Sequence, residues 1–134
     1  MQLSIDLRIA RHGVIVLLLG MLTGFFIGRF HSHSLGNAAH LTGLVGGYGL
    51  ITIGLLWPRL NLGPAWSTAG AWVTIVSMYL NWAGLVLQDA FGGAGNSLAH
   101  SGPVVLMVAI VLSLVSVAVT LTGLRAKGIA ASRS

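Results

Sequence analysis

Apolar residues fill this chain in four long blocks, separated by short polar breaks. Charges at Asp6, Arg8, Arg11, Arg29, Arg59, Asp89, Arg125, Lys127 and Arg133 leave four charge-free intervals, each long enough for a helix to cross a hydrocarbon core of about 30 Å. The pattern predicts helices near residues 12–30, 38–57, 66–87 and 103–124. The expected fold class is therefore all-α, an integral membrane four-helix bundle forming a single domain over residues 1–134. Connections are brief except for Asp89 to Gly102, where Gly92, Gly93 and Gly95 suit a flexible cover over a site on one face.

Composition strengthens the membrane reading: 55% hydrophobic residues, 7% charged residues and a mean hydropathy of +0.90 lie outside the range of soluble domains. The net charge of +5 points to orientation in a lipid bilayer and not to a nucleic-acid partner, because the basic residues sit at predicted helix ends. With four spans, Arg8, Arg11, Arg59, Arg125, Lys127 and Arg133 share one face, against Arg29 on the other. That bias predicts a multi-pass protein of a bacterial-type inner membrane with both termini cytoplasmic. A cleavable signal peptide is the alternative for the first block, but Gly20, Gly24 and Gly28 recur every four residues, a helix-packing pattern that a discarded segment does not need.

The absence of cysteine excludes disulfides, thiolate haem ligation and iron–sulfur clusters, leaving histidine as the main metal ligand. His40 opens the second apolar block, and a histidine in hydrocarbon costs free energy unless it is paired or ligated. His40, Gly43, Gly47, Ile51 and Gly54 fall along one helical stripe, so the surface beside the imidazole is nearly bare. Two readings fit: a Gly-x-x-x-Gly contact with His40 hydrogen-bonded at a helix interface, or a shelf for a flat cofactor ligated by His40.

In the third block Thr74, Ser77, Asn81, Gly84 and Gln88 form a continuous polar stripe, which must face protein or a cavity rather than lipid. Asn81, with Tyr79 and Trp82 beside it, suits either a small-molecule pocket or a hydrogen bond between helices. Ser113, Ser116 and Thr120 share a face of the fourth block and read as packing. Among the other histidines, His12 falls near the cytoplasmic interface, and His31 and His33 form a His-x-His pair in a loop. His100, before Pro103, is the competing ligand to His40.

The order of His12-Gly13, Ala39-His40-Leu41-x-Gly43 and Tyr79-x-Asn81-Trp82 resembles the hydroxylaminobenzene mutases, small membrane isomerases related to styrene oxide isomerase, over most of the chain. The resemblance implies a homotrimer with ferric haem b held by His40 on the Gly43 and Gly47 face, and Asn81 near the substrate. The implied reaction moves the hydroxyl of hydroxylaminobenzene from nitrogen to the adjacent ring carbon, giving 2-aminophenol. Tyr79 and Trp82 are then candidates to stabilise a cationic ring. The epoxide isomerases carry an asparagine where this chain has Gly46 and a tyrosine where it has Leu85. These departures favour a small aromatic hydroxylamine over an epoxide substrate.

Two other function classes compete. A proton-coupled exporter needs an intramembrane carboxylate, and the first block has none between His12 and Gly28. A haem electron carrier would pair two axial histidines, for which His40 and His100 are the candidates.

Overall fold

The computed structural model describes residues 4–92 and 101–131. These residues form four helices: α1 (Ile5–Phe25), α2 (His33–Leu56), α3 (Pro64–Gly92) and α4 (Ser101–Ala131). Short 3-10 turns at Ile27–Arg29 and Trp57–Arg59 lead into the first two connections. The expected four-helix architecture is present, but each helix begins earlier than its apolar block. Charges mark where a segment stops being apolar, and a helix continues through polar turns as long as its backbone groups are satisfied.

Local chemistry sets the ends. Ser32 caps α2, its hydroxyl accepting from the Leu35 amide, so the helix starts at His33 rather than near residue 38. Pro64 occupies the first position of α3, where its missing N–H and fixed φ cost nothing. At the other end α1 stops at Phe25, and the expected continuation to residue 30 is replaced by the 3-10 turn.

By length and composition, three helical segments among the described residues are apolar enough to cross a membrane: His33–Arg59, Pro64–Phe91 and Ser101–Leu124. The span expected in α1 is not one of them; Asp6, Arg8 and Arg11 occupy its opening turns. The connection between Asp89 and Gly102 and the candidate ligand His100 fall largely or wholly outside the described residues.

The helices pair as two hairpins, α1 with α2 and α3 with α4, joined mainly through α2 and α3. Ile9, Val16, Leu50, Trp57, Ala71 and Ile75 form the central cluster. The Trp57 indole N–H donates to the Ser67 hydroxyl at 2.9 Å, tying the end of α2 to the first turns of α3. At the opposite end Asp89, 7% exposed, accepts from the backbone amides of His31 at 2.9 Å and Ser32 at 2.7 Å. A carboxylate at the end of α3 thus satisfies donors at the start of α2, where the helix dipole favours negative charge.

Candidate functional site

α1 and α2 approach closely because glycines face one another. Gly43 lies against the Gly20 backbone with no room for a side chain, and a Cβ at Gly47 would come within 2.7 Å of Leu17 Cα. Gly13 and Gly54 make equally tight contacts, with Ile51 and with the Asp6 carbonyl and Ala10. Gly43 and Gly47 therefore sit against α1 within the protomer, in the close helix contact that is one of the two arrangements the stripe allows.

His40 lies at the upper edge of this contact. Its Nδ1 is 2.7 Å from the Gly20 carbonyl oxygen. A carbonyl only accepts, so Nδ1 carries the proton and the Nε2 lone pair is the one available to an electrophile or metal. Gly24 makes this possible, since a Cβ there would fall 2.7 Å from His40 Nδ1. Beside the imidazole is a recess of about 330 Å³, lined by Met21, Gly24, Phe25, Ile27 and His40 and open toward the outer surface of α1 and α2.

The three α3 candidates diverge. Asn81 Nδ2 donates to the Ser77 carbonyl at 2.9 Å and the Ser113 hydroxyl at 3.1 Å. The same side chain lines a groove of about 470 Å³ with Leu41, Thr42, Gly46, Leu50 and Met78. Both bonds use the amide nitrogen, so the carbonyl oxygen, an acceptor, takes part in neither. Tyr79 instead turns to α1, its hydroxyl 3.1 Å from His12 Nδ1 with the rings edge to face. Trp82 also turns to α1, donating from Nε1 to Thr23 Oγ1 at 3.0 Å and covering Gly43.

Asn81 thus shares neither a cavity with His40 nor a direction with Tyr79 and Trp82. The groove and the His40 recess flank the outer face of α2, where Val45 is 71% and Tyr48 62% exposed. Elsewhere on the α3 polar stripe Thr74 is hydrogen-bonded to Ser116 and Gly84 packs on Leu106, both on α4, while the Ser77 hydroxyl donates to the Thr74 carbonyl of its own helix. Ser113 and Thr120 bond back to their own helix carbonyls at 2.8 and 2.9 Å. His31 is exposed, 3.7 Å from Asp89, and no group of three or more metal-ligating side chains occurs among the described residues.

The pairs His12–Tyr79, His40–Gly20 and Asp89 with residues 31–32 are absent from any local pattern. The sequence offers only weak signals for them: a histidine beside Gly13, a glycine every fourth residue in α1, and an isolated carboxylate at an apolar helix end.

An all-helical bundle of two hairpins, with one imidazole fixed by a backbone carbonyl beside an apolar recess, defines the class structurally. The family model of styrene oxide isomerase matches residues 5–127, and the chain belongs to that family. It is 42% identical over 87 residues to hydroxylaminobenzene mutase HabA of Ectopseudomonas oleovorans, covering 65% of this chain and 64% of that protein. It is 29% identical over 119 residues to hydroxylaminobenzene mutase HabB of the same organism, covering 85% of this chain and 73% of that protein. The match to HabA thus spans just under two thirds of that relative's length. No solved structure matches the chain.

Proposed function

We propose that this protein is a multi-pass membrane isomerase that converts hydroxylaminobenzene to 2-aminophenol, with ferric haem b held by His40. The names of the two relatives support the reaction. The observation that carries the cofactor reading is the hydrogen bond from His40 Nδ1 to the Gly20 carbonyl. Metal-bound histidines characteristically donate their other ring N–H to a carbonyl or carboxylate, which fixes the tautomer and raises the basicity of the ligating nitrogen. The residues around it fit a macrocycle: Met21, Phe25 and Ile27 present apolar surface, and Gly24 keeps the imidazole edge clear.

Heterolysis of the N–O bond develops negative charge on oxygen and positive charge over the aryl-nitrogen system. When bound, ferric haem supplies a Lewis-acidic coordination position for the departing oxygen. His40 would be the residue that holds that group, through Nε2. The Asn81 carbonyl oxygen accepts from the N–H of the hydroxylamine and sets its orientation, while Leu41, Leu50 and Met78 enclose the ring. The apolar walls keep bulk water from capturing the cation, so the hydroxyl is retained for the neighbouring carbon.

His40 and Asn81 lie on opposite flanks of one exposed helix face. A cyclic homotrimer with head-to-tail contacts sets the recess of one protomer against the groove of the next, which unites the two. In this reading α1 also spans the bilayer, with both termini on the cytoplasmic side.

The test is the absorption spectrum of the detergent-solubilised protein together with its turnover of hydroxylaminobenzene. The expected result is a ferric Soret band and formation of 2-aminophenol, with both lost in His40→Ala while the variant still inserts and assembles. A colourless wild-type preparation with full turnover would overturn the cofactor assignment. A low-spin six-coordinate spectrum without turnover would favour the electron carrier.

A further inference from the structure

A second groove, of about 520 Å³, lies far from His40 at the end of the bundle that carries most of the basic residues. Its walls are Leu62, Trp66, Ala118 and Val119, with Asn61 and Thr122 at the polar end. The 61–63 segment that forms one wall is folded down on α4: the Asn61 amide donates to the Gly123 carbonyl at 3.2 Å. Gly123 permits this approach, since a Cβ there would come within 3.1 Å of Leu60 and 3.2 Å of Leu62. The groove is thus held open by a specific loop–helix contact.

Its chemistry changes along its length. The lower walls are apolar and continue into the outward face of α4, where Leu114, Val115, Val117 and Leu121 are exposed. At the rim Trp66 is 69% exposed, an indole placed where aromatic residues mark the boundary between hydrocarbon and headgroups. Arg59 is exposed two residues before Asn61. Neither Asp6, on α1, nor Asp89, at the far end of α3, lines the groove. The Thr122 hydroxyl donates to the Val119 carbonyl at 2.8 Å, so the charge at this end is that of Arg59, and an apolar trough ending beside a cation and the polar Asn61 matches a molecule with an alkyl chain and a phosphate.

We propose that this groove holds one acyl chain of an anionic phospholipid, with its phosphate against Arg59 and the polar end formed by Asn61 and Thr122. The site rests on the reading of the chain as a membrane protein but uses neither haem nor turnover. It would anchor the α2–α3 connection at the headgroup level and fix the depth of the bundle in the bilayer.

The full-length protein, carried in neutral detergent into native mass spectrometry with equal amounts of phosphatidylglycerol and phosphatidylcholine of matched chains, tests this. Retention of phosphatidylglycerol is expected to exceed that of phosphatidylcholine by about fivefold, the effect of one cation beside an anionic headgroup. Arg59→Gln should bring the ratio to about one with total lipid unchanged, an effect of the same size. Ala118→Phe, which fills the apolar trough, should lower retention of both lipids. Equal retention of the two lipids by the wild type, or wild-type behaviour in both variants, overturns the proposal. A chain recovered in the soluble fraction without detergent would instead sink the membrane reading beneath it.

Discussion

The α1–α2 and α3–α4 hairpins hold together by different means. Between α1 and α2 the contact is backbone on backbone, through Gly20 with Gly43 and Gly47 with Leu17. Between α3 and α4 it runs through hydroxyl and amide groups, Thr74 with Ser116 and Asn81 with Ser113. In apolar surroundings burial alone does not distinguish a helix from a lipid tail, so association needs either close packing or hydrogen bonds. The difference has a functional side. Bare glycine surfaces expose a backbone carbonyl, and that carbonyl orients His40. The polar hairpin instead holds the nitrogen of Asn81, whose side chain also lines a groove.

The sharpest way to break the contrast is Gly24→Val. The new side chain would occupy the position of the His40 ring edge, so haem and turnover should both be lost with the histidine still present. An unchanged Soret band would show that the imidazole is held elsewhere. Gly47→Leu attacks the packing itself. Its side chain meets the Leu17 backbone, which cannot rotate away, and a loss of about 3 kcal/mol or more is expected in detergent unfolding. A stable, monodisperse variant would contradict the backbone-contact account.

For the polar hairpin the expected effects are smaller and separate function from stability. Asn81→Ala should lower turnover by about a hundredfold, as removal of a positioned polar group in an active site does, with haem content unchanged. Full turnover would return Asn81 to a purely inter-helix role. Asp89→Ala removes the acceptor of two partly buried backbone amides and should cost about 1 kcal/mol, measured as a fall in unfolding midpoint. Asp89→Asn, which keeps one carbonyl acceptor, should recover part of it. Thr74→Val deletes the bond to Ser116 and should cost only about 0.6 kcal/mol. A loss as large as that of Gly47→Leu would mean the hairpins do not differ as described.

Much of the fold was legible because it depends on local period. Thr74, Ser77, Asn81 and Gly84 had to lie inward once they shared a helix face; Thr74, Asn81 and Gly84 meet α4, and the buried Ser77 bonds back to the Thr74 carbonyl. Helix ends were less legible. The start of α2 depends on Ser32 and on Asp89, a residue 57 positions away, and α1 ends in a 3-10 turn where the charge pattern suggested continued helix. Asn81 both bonds to Ser113 and lines a groove, while Tyr79 points away from it, because residues two apart on a helix point in nearly opposite directions. Tyr79 found His12 and Trp82 found Thr23.

The chain by itself determined the number of helices, their small and polar faces, and the exclusion of cysteine chemistry, since periodicity and composition act within a few turns. Only the tertiary structure decided which partner each face met. His40 reaches the Gly20 carbonyl across 20 residues and Tyr79 reaches His12 across 67, and separations of that size leave no mark on local pattern. Such contacts depend on how closely two helices approach, and that distance is set by which glycines come opposite one another once the hairpin closes.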